Sequence, residues 1–452
     1  MKNSKYLLLA AIAAATAMVS SCSDNGDLST PTKETKGKCD LLVDVSVDGS
    51  RASALTGTNF STFKLFGYQN PPTGSSAAAK GFLDGANGVD FTGTIGSTWT
   101  TESEALWPAE TDQSNNFYAI STYGYDETEA GIINSATLGS EINTAGLQNG
   151  SFTYTSTISS YTPDYLNEAE YTDQNQLAID KTPTSYVDAA KQKDVVVAAS
   201  METLKGSTGK ITLPFKHAFA YITMEMNFSE LIAKKNESGE YTDETESNGI
   251  DASTMCAIDY IAIHGVKTNG TFTFTKSGDS WEGSWDASDY GVVKYVWGMD
   301  NPLILTCSTE TPTATNPIIY TPILTDGQAM MIIPQKVNND GAIDWTAYDP
   351  ADTPEGKAYI EVHACFWGNI DEEHSITPYK YIKTNGGTVE DASYLVPIGS
   401  TDGQTYLTTS IYYAIPEKFE FKKNKHYNIR MNLRNFMLPD GTGLLDEALD
   451  ND

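Results

Sequence analysis

From residue 41 the chain alternates between apolar and polar positions. Leu41, Val43, Val45 and Val47 form one set, and Leu42, Asp44, Ser46 and Asp48 form the other. A period of two puts each set on its own face of an extended chain, so 41–47 reads as a strand with one buried face. The signature recurs at 221–228, where Ile222, Met224, Met226 and Phe228 share a side. Further strand-like runs fall at 63–68, 117–121, 151–155, 195–198, 210–215, 257–266 and 271–274. Others follow at 303–307, 330–333, 357–367, 406–413 and 427–433. All are rich in the β-branched, aromatic and aliphatic residues that suit a pleated surface, and clusters of Asn, Asp, Gly, Ser and Pro separate them as turns require. Only 187–193, 231–235 and 443–449 suit a short helix. Strands that do not alternate with helices argue against a parallel α/β plan and predict an all-β chain of two antiparallel β-sandwiches in tandem. The expected divisions are a leader at 1–21, a tether at 22–38, and sandwich domains at 39–207 and 208–452. The polar stretch 125–193 reads as an insertion with its own hairpins or as an extended surface loop.

Composition narrows the class. The chain has 452 residues, of which 40% are hydrophobic, enough for sizeable cores, and its formal net charge is −30. Such a surface repels nucleic acid, and no basic patch argues for it. At the N-terminus Lys2 and Lys5 precede an apolar run from Tyr6 to Val19, then Ser20, Ser21 and Cys22. A charged start, a short apolar run and small residues before a cysteine resemble a bacterial lipoprotein signal, which predicts acylation of Cys22. The polar, acidic residues at 23–27 resemble signals for export to the outer face of an outer membrane. Cys39, Cys256, Cys307 and Cys365 show no CxxC spacing, and the last three stand in apolar strand-like runs, where buried free thiols are as good a reading as disulfides.

The search for catalytic chemistry returns fragments. Gly206-Ser-Thr-Gly-Lys210 lacks the first glycine of a phosphate loop, and Ile211 replaces its Ser/Thr. The five histidines show no metal-ligand spacing. His363 and Cys365 share a strand face, with nothing else gathered around them in sequence. Asp243 to Gly249 and Asn338 to Gly341 lack the full ligand set of a calcium loop. Trp281, Trp285, Trp297 and Tyr290 cluster in a Gly/Ser/Asp-rich region, where they either stack on sugar or pack in the core. No enzyme activity, metal or cofactor is expected.

Several motifs in order resemble the fimbrillins, the lipoprotein-derived subunits of type V pili. They are the lipoprotein signal, then a first strand and a loop holding Arg51-Ala52; Leu106-Trp-Pro108 ahead of Phe117-Tyr-Ala119; and Gly209-Lys-Ile-Thr-Leu-Pro-Phe-Lys-His-Ala-Phe-Ala220, the most specific. Met331-Ile-Ile-Pro-Gln335 and Lys422-Lys-Asn-Lys-His-Tyr427 complete the set. The resemblance implies transthyretin-like sandwiches and a precursor lipidated on Cys22 and carried to the cell surface. It further implies a cut by an Arg-specific or trypsin-like protease between Arg51 and Ala52. The strand with Leu41, Val43, Val45 and Val47 then leaves, and a C-terminal strand of another pilus subunit, with Phe436, Met437 and Leu438 among its apolar residues, takes its place. The resulting fimbria serves adhesion or biofilm formation. Arg51 also has a plainer reading as an exposed turn residue. Two other readings stay open: a non-polymerising surface lipoprotein, such as a pilus anchor, a tip or a module binding a host or bacterial glycan or protein, and, more remotely, a secreted glycoside hydrolase.

Overall fold

A computed structural model describes residues 41–47, 60–108, 113–126, 131–161, 184–203, 210–248, 250, 252, 254–278, 280–288, 294–324, 329–337, 358–367, 378–385, 388–397, 407–415, 419–432 and 445–450. In chain order the strands begin with β1 (Leu42–Val47), β2 (Thr62–Gln69), β3 (Lys80–Gly81), β4 (Val89–Thr92) and β5 (Ser114–Asp126). Next are β6 (Gly131–Ser135), β7 (Ile142–Asn143), β8 (Ser151–Thr155), β9 (Ile158–Tyr161) and β10 (Thr184–Asp188). Then come β11 (Asp194–Thr203), β12 (Lys210–His217), β13 (Ala220–Asn227), β14 (Leu231–Lys235) and β15 (Tyr241–Ser247). β16 (Met255–His264), β17 (Asn269–Ser277), β18 (Ser280–Ser288), β19 (Lys294–Thr306) and β20 (Tyr320–Leu324) follow. The chain continues through β21 (Met330–Ile332), β22 (Gln335–Lys336), β23 (Tyr359–Trp367), β24 (Pro378–Asn385) and β25 (Thr388–Pro397). The last are β26 (Leu407–Ala414), β27 (Glu420–Phe421), β28 (Lys425–Asn432) and β29 (Leu445–Asp450).

The all-β expectation holds. Helix among the described residues amounts to the short turns Leu147–Asn149 and Ala189–Lys191. The second of these falls inside the expected helical run at 187–193. The other two expected helices are strands instead, β14 at 231–235 and β29 at 445–450. Short apolar runs do not reveal their period, and here a neighbouring strand decides: β14 pairs with β15, and β29 with β28. The polar stretch 125–193 is divided among three sheets through β6, β7, β8, β9 and β10.

An eight-stranded sheet runs β1-β12-β11-β5-β2-β3, with β4 on β2 and β6 on β5. One of its faces carries Phe63, Leu65, Phe117, Ala119, Val196, Ile211, Leu213 and Phe215, in a core completed by Phe60, Phe91 and Trp99. Its other face carries Phe66, Tyr118, Ile120, Val195 and Val197 and packs with Phe152, Tyr154, Phe272 and Phe274 of the four-stranded sheet β18-β17-β8-β7. Central strands covered on both faces lose the polar–apolar alternation, which is why β11 opens as Asp194-Val-Val-Val-Ala-Ala. The second sandwich closes a third core between β26-β23-β16-β19-β10-β9 and β20-β13-β28-β29. Most pairs are antiparallel. Three are parallel: β1 with β12, β10 with β19, and β13 with β28.

Gly283 marks the tightest approach between β18 and the core. A Cβ there would run into the Phe272 ring, and Phe272 is itself pinned by Phe152, Phe274 and Trp285 at ring separations of 5.0–5.2 Å. Gly283→Ala should therefore destabilise the fold by about 1–3 kcal/mol through overpacking, read as a lower midpoint in urea unfolding with an unchanged slope.

Candidate functional site

β1 lies at the edge of the eight-stranded sheet. Its side chains divide as the sequence pattern expects: Leu41, Val43 and Val45 are buried, Val47 is half-buried against the same core, and Leu42, Asp44 and Ser46 face out. Each buried aliphatic side chain contributes about 1.5–3 kcal/mol. The register runs Leu42 to Lys210 through Val47 to Phe215, six residues in parallel. β12 alternates in step, with Ile211, Leu213 and Phe215 inward. The Lys210–Asp44 ion pair across the ladder is 3.9 Å long and exposed, so it adds little.

The two neighbours of β12 hold it unequally. β11 pairs with it only through Val196–His217 and Val197–Lys216. Among the described residues, positions 210–215 of β12 find their strand partner in β1 alone. Among the described residues β1 in turn pairs only with β12, and it carries its apolar row on one face, so its loss would open both a ladder edge and an apolar groove. The opposite case is β13, flanked by β20 and β21 on one side and β28 on the other.

Arg51, Ala52, Cys22, Phe436, Met437 and Leu438 lie outside the described residues, as do Tyr290 and the 206–209 stretch. In the sequence Arg51 falls between Val47 and Phe60, the described residues on either side. At the C-terminus β29 is an edge strand paired with β28. The expected calcium-like stretch from Asp243 falls within strand β15 as far as Ser247. Among the described residues no group of three or more His, Cys, Asp or Glu is placed to hold a metal. Cys256 and Cys307 are buried in the core of the second sandwich; the Cys365 side chain lies outside the described set.

The tryptophans are committed to packing. Trp285 stacks on Phe219 at 5.6 Å, meets Phe152 and Tyr154 edge-on, and donates its Nε1–H to the Ala218 carbonyl at 2.6 Å. Trp281 meets Tyr118 edge-on at 5.9 Å. Trp297 packs against the core of the second sandwich. Trp297 therefore stands apart from Trp281 and Trp285, which pack half-buried against one core.

Sequence reading missed a buried polar cluster between β16 and β23. Both strands carry the pattern Tyr-Ile-x-(Ile/Val)-His, at 260–264 and 359–363. Antiparallel pairing sets Tyr260 opposite His363 and His264 opposite Tyr359, and the rings stack at 4.9 and 4.3 Å. Glu361 stands opposite Ala262, whose small side chain leaves room for the carboxylate to reach both diagonal neighbours. It accepts from Tyr260 Oη at 2.6 Å and bonds His264 Nε2 at 2.6 Å. Glu361, His264 and His363 are all buried. The cluster fixes the β16–β23 register, and the repeated pattern was its signal in the sequence.

No protein-family model matches the sequence, and no curated protein matches it. Among solved structures the chain is similar to a fimbrial protein from Bacteroides vulgatus at 13% identity and a TM-score of 0.43, covering 89% of this chain and 97% of that one. It is similar to a C-terminally truncated tip fimbrial protein from Porphyromonas gingivalis at 10% identity and a TM-score of 0.25, covering 86% and 95%. A fimbrial assembly protein from Parabacteroides distasonis aligns at 10% identity and a TM-score of 0.27, covering 87% and 91%. Likeness of this degree leaves the role of the chain to be read from its own residues.

Two outcomes follow from this geometry. Val45→Asp places a carboxylate in the core and should detach β1 from β12, read as lost amide-exchange protection at 42–47, whereas Leu42→Asp on the exposed face should leave protection unchanged. Glu361→Ala should lower stability by about 3 kcal/mol, because it strands a buried histidine and a tyrosine hydroxyl; chemical denaturation measures it.

Proposed function

We propose that this chain is the precursor of a cell-surface pilus subunit that assembles by exchanging β1 for a strand of another subunit. The observation that carries the reading is β1 itself: an edge strand, apolar on one face, paired among the described residues to a single neighbour and followed in the sequence by the only arginine before Arg430. In this reading the precursor is acylated on Cys22 and held at the outer membrane until a trypsin-like or Arg-specific protease cuts between Arg51 and Ala52. Departure of β1 exposes the apolar groove and the unpaired N–H and C=O groups of β12. A strand from the C-terminal region of a second copy or a related subunit restores both, by β-augmentation. Phe436, Met437 and Leu438, or the edge strand β29 beyond them, would supply it. The contact is head-to-tail, so it propagates into a filament rather than closing into a dimer. The filament would serve adhesion or biofilm formation.

Brief trypsin treatment of the 23–452 chain should give one dominant new N-terminus at Ala52, followed by multimers on a gel and filaments by electron microscopy. Arg51→Ala should abolish both the cut and the multimers. A chain cut at Arg51 that stays monomeric overturns the exchange reading. Cys22→Ser should remove metabolic labelling by palmitate, and persistence of the label would refute acylation at that residue.

A further inference from the structure

The most specific motif, Phe215-Lys-His-Ala-Phe-Ala220, has no part in the exchange as stated, yet it stands where β12 ends and β13 begins. Phe215 is inside the first core, and Phe219 is inside the core shared with the four-stranded sheet. Between them the links lead to β11, to β18 and to the turn at Asn424. The His217 ring is bonded through Nδ1 to the Asp194 carboxylate of β11, and both side chains are buried. The His217 backbone N–H donates to Asn424 Oδ1 at 3.2 Å. The Ala218 N–H donates to the Val195 carbonyl at 2.7 Å, and its carbonyl accepts from Trp285. The Asn424 N–H donates to the Phe219 carbonyl at 3.0 Å. Asn424 itself adopts φ 56°, a left-handed conformation that asparagine tolerates better than most residues. Burial, and next the charge of Lys216, lower the pKa of Lys423 from its usual value, in keeping with a turn pressed against β12.

These links meet the requirement that the exchange imposes. Positions 210–215 lose their strand partner when β1 leaves, and the two residue pairs with β11 are all the ladder that remains among the described residues. With β1 gone, the buried side chains of Ile211, Leu213 and Phe215 would still hold β12 to the core, but its register would depend on what fixes its far end. We infer that His217, with Asp194 and Asn424, is a positioning clamp that keeps β12 in place and in register while β1 is absent, so that an incoming strand meets a preformed edge. The inference rests on the exchange reading. It adds that β1 and β12 open separately, and that the clamp is the reason.

Native-state amide exchange on the full 23–452 chain tests this without any cut. In the unaltered protein the amides at 42–47 should exchange by local opening, while Ala218, Val196 and Val197 stay protected to the level of the core. Asn424→Gly keeps the left-handed turn and removes the acceptor. It should raise exchange at Ala218, Val196 and Val197 about tenfold, the loss of roughly one hydrogen bond, toward the rate at 42–47. Asn424→Asp keeps the acceptor and should restore protection, which a general weakening of the turn would not allow. Asp194→Asn should act like Asn424→Gly. If β1 opens locally while neither variant changes Ala218, Val196 and Val197, the clamp is overturned and the exchange reading stands. If β1 exchanges only with the core in the unaltered protein, it is not a removable strand, and both fail.

Discussion

Six residues of β1 run parallel to six residues of β12, and the backbone groups of positions 210–215 have no other strand to bond to among the described residues. An edge of unpaired N–H and C=O groups is costly to leave open, so completion of the first sandwich depends on this ladder. The apolar row of Leu41, Val43 and Val45 binds the same strand to the core. β1 is thus held in two ways, by main-chain pairing along β12 and by side chains that fill an aliphatic groove. Main-chain pairing is indifferent to sequence, whereas the groove selects for apolar residues at alternate positions.

β1 and β13 each lie parallel to a strand far along the chain, β1 beside β12 and β13 beside β28, but they are held differently. β13 is also hydrogen-bonded on its other side, to β20 and β21, and all but one of its residues are buried. Removing it would break two ladders and empty a core. β1 has one ladder and one buried face. Among the described residues β1 is therefore the less firmly held of the two strands, and the hydrogen bonds at Ala218 and Phe219 tie the end of β12 to β11, β18 and the turn at Asn424.

The polar groups in the interior serve alignment. Glu361 lies between Tyr260 and His264 because Ala262 opposite leaves it space, and a shift of one residue would turn the cluster to the other face of the sheet. His217 and Asp194 fix the end of β12 in the same manner. Burying such groups carries a desolvation penalty, offset here by hydrogen bonds that a different register would not form.

Periodicity by itself determined the one-sided burial of β1 and β12, because alternate side chains of an extended chain must face opposite ways. It also determined the all-β class and the apolar character of 221–228. Periodicity is local, and it carries no information on which strand lies beside which. That β1 pairs with a strand some 170 residues away and in parallel, that 231–235 and 445–450 are strands, and that Trp285 is spent on Phe219 and Ala218 were settled by tertiary contacts. The same holds for the Glu361 cluster: the repeated Tyr-Ile-x-(Ile/Val)-His pattern was present in the sequence, but only antiparallel registration of β16 on β23 brings each tyrosine onto the histidine of the other strand.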